Sequence, residues 1–88
     1  MWIIPKYISI ENNYLCGCQS IPIQDIKRIK SCTVYSKEMN SSWYEVHAVR
    51  KGDLEEFLLL TLNFEEWAID IAEEVRQALY QKGWSENG

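Results

Sequence analysis

The chain has 88 residues, 47% hydrophobic and 12% aromatic, and a formal net charge of −4. That size and apolar content make one small domain, 1–88, with a single core and a thin stability margin. The acidic balance weighs against nucleic acid and against an anionic membrane surface. The longest apolar cluster, Phe57-Leu-Leu-Leu60, is too short to span a bilayer. The opening Met1-Trp-Ile-Ile-Pro-Lys6 has neither the basic lead nor the apolar run of a secretory signal. Together these predict a cytoplasmic chain without a membrane partner, in which three cysteines, an odd number, remain free thiols.

In chain order, Ile3 to Glu11 alternates Ile8 and Ile10 with Ser9 and Glu11, and reads as a strand. Asn12-Asn13 tolerates positive φ and predicts a two-residue hairpin turn, with Glu11 facing Tyr14 and Ile10 facing Leu15. Tyr14 to Gln19 is then the returning strand. Pro22 lacks a donor and cannot sit mid-sheet. The spacing of Ile23, Ile26 and Ile29 suits one helical turn or a tight bend. Lys30 to Ser36 reads as a strand, residues 37–42 as a polar loop, and Trp43 to Arg50 as a strand. Lys51-Gly52-Asp53 is a turn. Leu54 to Leu62 is a last strand, apolar on both faces.

The period changes after Asn63. Phe64, Trp67, Ala68, Ile71, Val75, Ala78 and Leu79 recur every three or four residues, an apolar helical stripe over about 64–82. Asn63 and Glu66 suit a capping box. Gly83 suits the residue after a helix end, with Trp84 folding back. The predicted fold class is α+β, mainly β. It is a strongly bent antiparallel sheet or partial barrel of about five to six strands (about 3–62), closed by one C-terminal amphipathic helix.

The hairpin, the segment Ile21-Pro-Ile-Gln-Asp-Ile26, the later strands, Asn63-Phe-Glu-Glu-Trp67 and Val75-Arg-Gln-Ala-Leu79 together resemble the pleckstrin-homology-like superfamily, in particular its small bacterial members. The resemblance covers roughly residues 7 to 82 and rests on element order and apolar pattern. It implies a non-enzymatic module that binds peptides, other proteins or copies of itself. The chain is short for the family's seven-strand barrel. Its first hairpin turn, Glu11-Asn12-Asn13, also lacks the basic residues with which lipid-binding members hold phosphoinositides.

The candidate sites are few. Cys16, Cys18, Cys32 and His47 supply zinc-type ligands, but one glycine between Cys16 and Cys18 gives less room than common zinc sites. Cys32 and His47 also stand alone on separate expected strands. No metal or other cofactor is expected, and the thiols read as small sheet residues. His47 has no nucleophile in a recognised motif, so no enzyme is expected. Aromatic residues exceed what so small a core can take. Trp2, Tyr7, Tyr14 and Trp43 are therefore the candidate contacts for a protein partner or a homo-oligomer, through an aromatic patch or an open sheet edge. The alternative is an anionic ligand or nucleic acid on a basic stripe of Lys27, Arg28, Lys30, Arg50 and Lys51.

Overall fold

The computed structural model describes residues 8–86 in full and residues 2–3 by their backbone. Four short strands come first: β1 (Trp2–Ile3), β2 (Ser9–Glu11), β3 (Tyr14–Cys16) and β4 (Ser20–Pro22). They form an antiparallel sheet in that order. Asn12 and Asn13 turn the first hairpin with φ of 52° and 66°, both left-handed, as a tight turn matched to strand twist requires. The pairs Glu11↔Tyr14 and Ile10↔Leu15 are those the turn predicts. Pro22 ends an outer strand, where no neighbour needs its missing N–H. A single 3-10 turn, Ile23–Asp25, follows it.

Three longer strands make the second antiparallel sheet: β5 (Ile26–Ser36), β6 (Ser41–Arg50) and β7 (Glu56–Leu62). Helix α1 (Glu65–Tyr80) closes the core. Ile8, just before β2, and Ile10, Leu15 and Ile21 from the first sheet meet Ile29, Val46, Ala48 and Leu59 from the second. Ala68, Ala72, Val75, Ala78 and Leu79 from the helix complete the cluster. The small residues on that helical stripe let its backbone lie close to the second sheet.

Among the described residues, the expected bent sheet or partial barrel of about five to six strands is two antiparallel sheets of four and three strands. Two local features divide them. Ile3–Glu11 is not one strand, because Trp2–Ile3 pairs antiparallel with Ser9 and Ile10. The other is the bend at Gly17–Gln19, where the two sheets meet through a short seam instead of a ladder. Cys18 N–H donates to the Leu59 carbonyl at 3.0 Å and Gln19 N–H to that of Leu58 at 2.9 Å. Leu58 N–H donates to the Gln19 side-chain oxygen at 2.8 Å. A β-bulge presents those groups, since His47 pairs with Leu58 and Val46 with Leu60, leaving Leu59 extra. A Cβ on Gly17 would stand 2.6 Å from the Leu59 oxygen and 2.7 Å from its Cα, so only glycine fits. The Cys-Gly-Cys stretch is thus where two backbones touch.

At the helix start the cap is Phe64, with no side-chain bond, so Asn63 does not take the role its type suggests. At the helix end Trp84 N–H donates to Leu79 at 3.1 Å and Gly83 N–H to Tyr80 at 3.0 Å, with Gly83 at φ 88°. Trp84 folds back as expected. It is buried, stacks on Tyr80 at 5.5 Å, and donates its indole N–H to the Ile26 carbonyl at 2.8 Å.

Candidate functional site

Strand alternation sends Ile29, Val46 and Ala48 into the core and their neighbours to the outer face of the second sheet. Register then decides which outer residues meet. Lys30 lies opposite His47 and Cys32 opposite Glu45. Through the bulge, Glu56 comes within reach of both Lys30 and His47. The result is a continuous polar row. Lys30 Nζ donates to Glu56 Oε2 at 2.8 Å. His47 Nδ1 lies 2.7 Å from Glu56 Oε1, and His47 Nε2 lies 2.7 Å from Glu45 Oε1. Trp43 Nε1 donates to Glu45 Oε2 at 2.8 Å. Cys32 Sγ stands 3.9 Å from His47 Nε2. An ionised carboxylate only accepts, so both short contacts form together only when each ring nitrogen carries a proton.

The row shifts its members in opposite directions. Hydrogen bonding from Lys30, and then from His47, holds the Glu56 carboxyl below its ordinary range. Burial pushes Glu45 up, but the hydrogen bonds from Trp43 and His47 outweigh it and the net shift is down. Burial first, and then the Glu45 charge, raise the Cys32 thiol, against a smaller opposing effect of Lys30. Cys32, His47 and Glu56 have the order of a nucleophile, a base and its orienting acid. Yet Glu45 already occupies the Nε2 side of the ring, and a raised thiol is the reverse of an activated one.

The residues singled out by sequence are dispersed. Tyr7 and the side chain of Trp2 lie outside the described residues. Tyr14 is exposed in the first sheet and lines a cleft of about 540 Å³ with Pro22, Ile23, Lys51, Lys82 and Trp84. Trp43 is partly buried on the second sheet and tied to Glu45. Of the basic set, Lys30 is matched by Glu56, and Arg50 by Asp53 and Glu55 at 2.6 Å each. Arg28 is exposed, Lys27 is partly exposed, and Lys51 lies in the cleft. Cys16 and Cys18 are free and take no part in the polar row. Sequence reasoning passed over Glu45 and Glu56. The Glu45-Val-His47 spacing already put two of these groups on one strand face, whereas Glu56 needed the register.

The same sheet has one open edge. Ile29 turns its carbonyl outward to Arg76 Nη2 at 2.8 Å. In an antiparallel ladder the backbone groups of alternate residues share a side, so Ser31, Thr33 and Tyr35 point theirs outward as well. Among the described residues, no backbone group bonds that edge from Ser31 to Ser36. Beside it runs a shallow groove of about 90 Å³, lined by Ser31, Thr33, Tyr44, Glu65, Ala68 and Ile69. Tyr35 and Ile69 are 60% and 51% exposed, and neither is needed by the core. Among the described residues, no helix is long and apolar enough to cross a membrane. Compared with known protein families, curated proteins and solved structures, the chain matches none of them.

Proposed function

We propose that this chain is a non-enzymatic, cytoplasmic interaction module of the pleckstrin-homology-like type. It takes an extended protein segment as an added strand along the outer edge of β5. The observation that carries this reading is the unpaired run from Ser31 to Ser36 beside the groove against α1. Free N–H and C=O groups at fixed spacing supply affinity, and the groove walls supply side-chain selection. The order of antiparallel strands followed by a terminal helix among the described residues is the element order on which the family resemblance rests. A second copy of the chain is the first partner to test, because two identical edges can pair antiparallel about a two-fold axis. The basic-stripe alternative has less support, since Lys30 and Arg50 spend their charge on neighbouring acids.

Light scattering over a concentration series, for the native chain and for Thr33→Pro, tests the proposal. Proline removes an outward N–H without breaking the ladder to β6. A mass that rises with concentration in the native chain and stays monomeric in the variant is the expected result. Association that survives the proline contradicts edge pairing. If the native chain is monomeric throughout, the same variant serves as the control for any captured partner, and a partner that binds both equally contradicts it too.

A further inference from the structure

We propose that Cys32, Glu45 and His47 form a three-ligand site for a zinc-class divalent cation on the outer face of the second sheet. The site is independent of edge pairing and stands or falls separately. It is not the set suggested by the cysteine spacing, since Cys16 and Cys18 are absent from it. One sulfur, one imidazole nitrogen and one carboxylate oxygen lie within 4.8 Å of one another. Zinc prefers this donor mixture, at about 2.3 Å to sulfur and about 2.0–2.2 Å to nitrogen and oxygen. Tetrahedral bonds of those lengths separate the donors by roughly 3.3–3.6 Å. The 3.9 Å sulfur–nitrogen distance is close to that, and the 2.7 Å nitrogen–oxygen distance needs only a small opening.

The surroundings point to a ligand as strongly as the donors do. His47 presents Nε2 to the site while Nδ1 is held by Glu56, itself held by Lys30. That carboxylate–imidazole pair is the arrangement which orients a metal-binding histidine and fixes its tautomer. The second oxygen of Glu45 is fixed by the Trp43 indole, so Oε1, which meets His47 Nε2 at 2.7 Å, is the oxygen that would turn to a cation. Charge balances as well. A dication with the Cys32 thiolate, the Glu45 carboxylate and a neutral His47 ring sums to zero, and Lys30 cancels Glu56. Such an ion takes the Cys32 thiolate and the Nε2 lone pair of His47, so the affinity falls as pH is lowered. Tetrahedral coordination would leave a fourth position for water or an external ligand.

Cobalt(II) and zinc titrations of the full chain, under reducing conditions, test the site. The expected result is one equivalent bound, with thiolate-to-cobalt absorption and a tetrahedral visible spectrum. The chain has one histidine, so a shifted imidazole resonance reports His47 alone. Cys32→Ser and His47→Gln should lose the spectrum, and Cys16→Ser with Cys18→Ser should keep it. Glu56→Gln removes no ligand, so it should fold and bind about 10–100-fold more weakly. Circular dichroism confirms that each variant is folded. No binding by the native chain, binding that survives Cys32→Ser and His47→Gln, or binding lost with Cys16 and Cys18 overturns the proposal.

Discussion

The two edges of the β5–β7 sheet are treated in opposite ways. The β7 edge is met at Leu58 and Leu59 by Cys18 and Gln19, whose backbone and side chain bond to them beside Gly17. That closure needs a glycine, a bulge and a side-chain amide, all in one place. Among the described residues, the β5 edge receives two caps, from Arg76 to Ile29 and from Trp84 to Ile26, both at its first end. From Ser31 to Ser36 no described backbone group bonds it. One edge is thus met by backbone from the other sheet, while the other leaves N–H and C=O groups unpaired among the described residues, the condition for adding a strand.

The comparison can be broken from the sealed side first. Gly17→Ala drives a methyl into the backbone of Leu59, and the cost is about 3 kcal/mol, read as a lower denaturation midpoint. Gln19→Ala leaves the Leu58 N–H without its partner and costs about 1 kcal/mol by the same measurement. Thr33→Pro, on the open side, should cost no more than about 1 kcal/mol, from its fixed φ in a strand, while removing edge pairing. A loss as large as that of Gly17→Ala would point to a Thr33 N–H bonded within the fold.

Acid sharpens the comparison through the polar row that links β5 to β7. Glu56 and Glu45 titrate below their ordinary range. A lowered carboxyl stabilises the fold fully above the ordinary value of about 4.3. That contribution is lost as pH falls through the lowered one. Asp53, held by Arg50 at about 2, behaves alike but is exposed and screened. Unfolding midpoints should therefore fall from about pH 4.5 downward, and Glu56→Gln should flatten part of that fall. The raised Cys32 thiol has the opposite sign for pH. Its contribution is complete below the ordinary thiol value of 9.0 and disappears as pH rises above it.

Local elements were legible because local chemistry decides them. Asn12-Asn13 gave the hairpin and its register, and Gly83 with Trp84 gave the helix end. The spacing of Ile23, Ile26 and Ile29 left a helical turn or a tight bend open, and a 3-10 turn is what forms. Division into two sheets was not, because it depends on one backbone approach at Gly17, and a sequence does not say what a glycine lies against. The helix stripe was read too widely at its start. Phe64 precedes the helix, and Trp67 lies about 100° around it from Ala68, so both remain exposed, edge to face at 4.7 Å. The cysteines teach the same point. The conspicuous pair, Cys16 and Cys18, sits at a seam, while Cys32 meets His47 only because β5 and β6 pair in one register.

Amide hydrogen exchange, at a concentration where the chain is monomeric, tests the central claim most directly. The account predicts alternation along β5, with Lys30, Cys32 and Val34 slow and Ser31, Thr33 and Tyr35 fast. It also predicts slow exchange at Cys18, Gln19 and Leu58 on the sealed side. Equal protection of odd and even residues from Ser31 to Ser36 in the monomer would contradict it, because the edge would then already be closed.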